Sequence, residues 1–220
     1  MPAPERGFRP AGAGGGQERQ VRCVMFTPRE LALERGWPGK IEGDSVIQVA
    51  AQTLEAFFTG GGRAREHNIY PLEDISLRPP VLRPPSIRFF TDEQTFTFGN
   101  TASIYGPEDE VPLPGQAESR FSVAAVIGGN ERIAGFTLVN DWRVPSLPTP
   151  KDRDFATSIG PWIETNYEPG FDFGAAREAA ARNTSLRAGD LLVAPPFAAG
   201  VPEADVPGLG TLRALSSSAG

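Results

Sequence analysis

From Ile87 to its end the chain never runs more than 14 residues without a glycine or a proline, and this punctuation limits what it can fold into. The whole sequence holds 25 Gly and 22 Pro in 220 residues. Between the stops lie short apolar runs at Ile87–Phe90, Phe96–Gly99, Phe121–Ile127, Ala134–Asn140, Gly160–Thr165 and Leu191–Ala194, with another around Thr211–Leu212. Runs of that length, bounded by turn residues, read as strands. Many short strands joined by such turns predict a sandwich or a rolled sheet. One helix is expected at Ala175–Arg182, where alanine dominates.

The first third reads differently. Residues 1–20 (MPAPERGFRPAGAGGGQERQ) have no periodic apolar face and are expected to be a disordered tail. Val21–Phe26 suits a strand, and Lys40–Ile47 a strand, turn and strand about Gly43-Asp44. Val49–Phe58 spaces apolar residues at helical intervals and stops at Gly60-Gly61-Gly62. Leu77–Pro85 (LRPPVLRPP) predicts an extended linker, because each proline holds its predecessor in β or polyproline geometry. The expected organisation is a tail (1–20), a small N-terminal domain (21–78), a linker (79–86), a main β domain (87–214) and a flexible end (215–220).

Composition excludes several chemistries. A formal charge of −6 argues against a nucleic-acid footprint. No apolar run is long enough to span a bilayer and the N-terminus has no hydrophobic signal core, so a cytoplasmic protein is expected. One cysteine, Cys23, excludes an intramolecular disulfide and a Cys-rich zinc site; it reads as a small buried strand residue. The single histidine, His67, lies in a charged surface-like turn, R-A-R-E-H-N. Any Ser-His-Asp or Cys-His mechanism would have to pass through it.

An ordered set of motifs goes further. Ala125-Val126-Ile127-Gly128 is followed by G-F-T-L-V-N-D-W ending at Trp142, then by D-F-A-T-S-I-G-P-W ending at Trp162. Arg182–Asp190 (RNTSLRAGD) and Pro207–Arg213 (PGLGTLR) follow. This order resembles the fumarylacetoacetate hydrolase (FAH) family over about Val21–Arg213. The resemblance implies a mainly β, α+β chain: a mixed β-sandwich roll with a small N-terminal domain and a few short helices. It also implies a homodimer, or a heteromer with a related subunit, acting on a small carbonyl compound around a divalent metal.

The family's ligand positions are altered here. Two glutamates two residues apart on the strand before V-I-G fall on Arg120 and Ser122, with Glu118 one step back on the same face. The aspartate of N-D-W is kept as Asp141. The family's fourth carboxylate falls on Phe89 or in a gap, its histidine on Thr95 and its lysine on Arg153. Asp141 is the only matching ligand, so no metal and no cofactor are expected. Loops after Thr95 and Gly128 are also short, which removes the pieces that would close over a substrate.

From this the expectation is a metal-independent enzyme on a β-diketone, 2-oxo acid or polyketide-like compound. Cyclisation, isomerisation, decarboxylation or C–C cleavage would suit such a site. Arg120 is expected to pair with Asp141, with Glu118 sharing in it, while Arg143 and Arg153 bind an oxyanion. Thr95, Ser122 and Thr157 would contribute hydrogen bonds, Glu93 a replacement proton carrier, and Trp142 and Phe155 the walls. The plainer readings stand beside these: Asp141 as a strand-end cap, Arg120 and Arg153 as ordinary exposed residues, Trp142 and Phe155 as core. The alternatives in function are a non-catalytic binding protein or partner subunit, and a residual C–C hydrolase.

Overall fold

The computed structural model describes residues 21–31 and 33–218. The expected tail at 1–20 lies outside the described residues. Strand is the main regular structure of the described chain, at 42% against 11% helix. The N-terminal part contributes β1 (Arg22–Pro28), β2 (Trp37–Glu42), β3 (Ser45–Val49), helix α1 (Leu54–Thr59), β4 (Glu66–Pro71) and β5 (Ile75–Arg78). Next come β6 (Ile87–Phe90), β7 (Phe96–Phe98), β8 (Ile104–Tyr105) and β9 (Val111–Leu113). The long central strands are β10 (Arg120–Ile127), β11 (Ile133–Asp141) and β12 (Thr157–Glu164). Helix α2 (Phe173–Ala181) leads to β13 (Leu191–Val193), β14 (Ala198–Ala199), β15 (Glu203–Val206), β16 (Gly210–Arg213) and β17 (Ser216–Ser218).

Thirteen strands join in one mixed sheet whose main path runs β4-β3-β2-β1-β12-β11-β10-β13-β6-β7. Strand β1 is the hinge of this arrangement. It pairs antiparallel with β2, with β5 and with β12, so the N-terminal strands continue the sheet of the main roll. Strand β13 lies between β10 and β6, antiparallel to the first and parallel to the second.

The faces of the central strands are buried on both sides, as their near-continuous apolar runs require. Ala124, Val126, Val139 and Ile159 face Leu54 and Phe57 of α1, together with Cys23 and Met25. On the other face Ala125, Ile127 and Leu192 meet Phe173, Ala176 and Ala180 of α2. Burying one side chain of the size of Phe173 contributes about 1.5–3 kcal/mol. The β15–β16 hairpin closes the rest of that face through Ala204 and Leu212 against Phe121 and Leu138.

Several boundaries differ from expectation for local reasons. The first helix starts at Leu54, because Val49 is held in the β3–β4 ladder opposite Glu66 and Thr53 caps the helix by accepting from the Ala56 N–H at 3.2 Å. Asp172 caps α2 in the same way, 2.9 Å from the Ala175 N–H, which moves its start forward to Phe173. Strand β12 starts three residues earlier than expected, since Thr157 pairs with Asp141 and donates its N–H to the Ser103 carbonyl. His67 sits exposed within β4 rather than in a turn. The Leu77–Pro85 segment opens with β5, and Ser216–Ser218 of the expected flexible end pair in parallel with β9.

Candidate active site

The register of β10 and β11 sets Phe121 opposite Asn140. It therefore brings Arg120 and Asp141 side by side at the ends of neighbouring strands. Ser122 lies two residues on, over the same face. Beyond the strands the pair is extended by one bridge, in which Glu118 N–H donates to the Arg143 carbonyl at 2.7 Å and Arg143 N–H to the Glu118 carbonyl at 3.0 Å. The following loop returns at Asp152, whose carbonyl accepts from the Val144 N–H at 2.8 Å. That return places Arg153 beside Arg143. Together these groups line a cleft of about 210 Å³ whose side chains include Arg120, Ser122, Asp141, Arg143 and Arg153.

Asp141 is gripped by Arg143, not by Arg120. Arg143 Nη2 lies 2.5 Å and Nε 2.7 Å from the same carboxylate oxygen, Oδ2. Both side chains are nearly buried, 12% and 7% exposed. Two residues apart on one face, they meet without any long-range fit, whereas Arg120 turns along the rim toward Glu118 Oε2 at 3.5 Å. Arg120 Nε is buried without a hydrogen-bond partner among the described residues. Arg143 also reaches Asp152 at 3.6 Å, and Arg153 holds the same carboxylate at 3.0 Å. Burial pushes the Asp141 carboxyl above its usual range, and Arg143, then Arg153 and Arg120, pull it back. Asp152 is held below that range, chiefly by its hydrogen bond to Arg153.

Other expected site residues lie elsewhere. Thr95 is exposed in the turn between β6 and β7, its N–H donating to Asp92 Oδ1 at 2.9 Å, and Glu93 belongs to that turn too. Thr91 and Thr97 line the cleft in their place. Trp142 is buried against Val111 and Ala156 with its indole N–H on Ser158 Oγ at 3.2 Å, and Phe155 packs on the same cluster. Both are core rather than cleft wall. Thr157 is buried in β12 and Glu118 stands outside the cleft as the partner of Arg120. Phe89, Phe90, Ala194 and Pro196 complete the lining. The resemblance points to Phe89, but no local signal marks the other three, because only the β6–β13–β10 order brings them to Arg120.

No family sequence model and no curated protein matches the chain. Solved structures do. Maleylpyruvate hydrolase from Sphingobium sp. SYK-6, in complex with manganese(II) and pyruvate, is 17% identical with a TM-score of 0.71, covering 90% of this chain and 100% of that one. A probable 2-hydroxyhepta-2,4-diene-1,7-dioate isomerase from Mycobacterium abscessus is 19% identical with a TM-score of 0.69, over 91% and 99% of the two chains. A 2-keto-3-deoxy-D-arabinonate dehydratase, complexed with magnesium and 2,5-dioxopentanoate, is 12% identical with a TM-score of 0.70, over 90% and 99%. The chain has the fold of the FAH superfamily.

These neighbours correct the expectation that no cofactor belongs to such a site, since two of them hold a divalent metal together with an oxo acid. The cleft's own side chains do not fit a divalent ion as they are arranged. Among the described residues no three His, Cys, Asp or Glu side chains converge. Asp141 Oδ2 is taken by Arg143, and Arg120 beside it would repel a second cation.

Proposed function

We propose that the cleft binds a small 2-oxo acid or β-dicarbonyl compound and moves a proton at the carbon next to its carbonyl. The observation that carries this reading is the gathering of Arg120, Arg143 and Arg153 with one buried carboxylate, Asp141, and the Ser122 hydroxyl in a cleft of about 210 Å³. A carboxylate or enolate oxygen needs donors that are already in place when charge develops. Arg120 supplies a buried Nε–H with no partner among the described residues, and Ser122 a hydroxyl on the same face. Asp141 offers Oδ1, to which neither Arg143 bond goes, as the proton acceptor. Its upward-shifted carboxyl makes it a better base than an ordinary aspartate. Enolisation is a step that isomerisation, C–C cleavage and cyclisation can each begin with, so it is the property to test first.

The test follows exchange of the methyl protons of pyruvate and of acetylacetone in heavy water by NMR, once with a chelator and once with Mg²⁺ or Mn²⁺. Wild-type protein is expected to accelerate exchange, and Asp141→Asn to reduce that acceleration about 100-fold or more, as for a general base. Arg120→Lys should weaken binding while leaving the fold intact. Unaltered exchange in Asp141→Asn would remove Asp141 from the chemistry, and no exchange with any oxo acid would remove the reading.

A second reading has one observation in its favour. Phe98 is 65% exposed and Phe197 50% exposed, and each adjoins a cleft-lining residue, Thr97 and Pro196. Aromatic side chains left in water beside a cleft suit cover by a second copy or a related subunit. Sedimentation of wild type and of Phe98→Ser with Phe197→Ser tests it: a dimer that dissociates in the double variant supports the reading, and a monomer in both ends it.

A further inference from the structure

We propose that a second groove, at the opposite end of β10 from the cleft, binds a small organic carboxylate with a flat apolar body. The groove lies between the end of α1 and the turn at Gly128–Arg132, and its volume is about 400 Å³. The strand between the two places has eight residues. At about 3.3 Å per residue the sites are more than about 20 Å apart and do not share a ligand.

Lys40 and Arg132 line the groove and among the described residues no carboxylate does, in a chain whose formal charge is −6. Lys40 emerges from β2 with its ammonium 5.8 Å from the centre of the Phe57 ring. Its one carboxylate partner among the described residues is Glu66, at 3.4 Å, whose side chain is 53% exposed. A contact that long and that wet contributes little, so the ammonium can turn to a better partner. Arg132 is exposed at the rim, and no salt bridge among the described residues uses it.

The walls match that charge in shape and chemistry. Phe57 and Phe58 sit edge to face at 5.4 Å and form the apolar side. The facing turn packs on α1: a Cβ at Gly129 would lie 3.1 Å from the Thr59 Cα, and one at Gly128 3.4 Å from the Phe58 Cβ and 2.9 Å from the Cβ of Ala134 on β11. Glycine at both positions lets the two walls approach and stay put. Gly61, at φ +80°, leaves open space at the mouth. A preformed slot with one aromatic side and two cations fits a ring bearing a carboxylate. An inorganic anion would satisfy the cations and leave the aromatic wall wet. This inference does not depend on the proposed chemistry of the cleft.

Isothermal titration of the full chain with benzoate tests the proposal, with acetate and inorganic phosphate as comparison probes. Benzoate should bind saturably and at least tenfold more tightly than either. Arg132→Glu should weaken benzoate at least tenfold while keeping the native circular dichroism, since Arg132 is exposed; Lys40→Met should weaken it too, and Arg120→Ala should leave it unchanged. Three results would overturn the proposal: no benzoate binding, phosphate binding as tightly as benzoate, or binding lost in Arg120→Ala but kept in Arg132→Glu. The last would put the compound in the cleft. Should Lys40→Met fail to fold, Arg132→Glu decides alone.

Discussion

Asp141 stands under opposing influences, and pH separates them. Burial raises its carboxyl above the ordinary value of 3.8, against the pull of Arg143, Arg153 and Arg120. Between 3.8 and the raised value the folded protein holds a proton that the unfolded chain has released. Stability from this group is therefore complete below 3.8 and is lost as pH rises through the raised value. Urea midpoints for wild type and Asp141→Asn across that interval should show wild type losing ground to the variant as pH rises. A difference that grows the other way would mean that the Arg143 bond outweighs burial. At this scale the resemblance, aligned on V-I-G and N-D-W, points to Arg120, Ser122 and Asp141, and the register of β10 and β11 brings the three to one cleft. The sequence did not make the pairing legible, because the choice of Arg143 over Arg120 depends on where each guanidinium is directed. Cys23 is a simpler case: it is fully buried in β1, and burial, helped by Glu164 and opposed by Lys40, pushes its thiol up to about 12.

Among the elements, the β10–β11–β12 group carries the cleft, and its closest approach is at Gly135. A Cβ there would lie 2.6 Å from both the Glu164 carbonyl oxygen and Ile163 Cγ2. The register of β11 against β12 shifts between Phe136 and Leu138, so the strands are already irregular beside this contact. Gly135→Ala should destabilise the protein by about 1–3 kcal/mol, the usual cost of overpacking, measured by urea denaturation with an unchanged m-value. A loss under about 0.5 kcal/mol would show that β12 yields freely, in the range of an ordinary surface substitution. The central strands were readable because each is an apolar run closed by glycine or a polar turn. Helix starts were not, since Thr53 and Asp172 act as caps only once the chain on either side is held in place.

For the whole molecule, the three pairings of β1 imply one cooperative unit. Trp37 reports on the N-terminal strands, packed with Phe26 and Tyr70, while Trp142 reports on the main roll. Variants keeping only one or the other tryptophan should unfold in urea with the same midpoint as circular dichroism. Two separate midpoints would mean that the N-terminal strands form an independent domain. The order of short strands and the fold it builds were determined by the sequence itself, because local spacing sets strand faces and turn positions. The burial of Trp142 away from the cleft and the arrival of Thr91, Thr97 and Pro196 at its wall were decided by tertiary structure alone. Each depends on strands far apart in sequence coming to lie side by side, and side-chain direction across such a contact has no local signature.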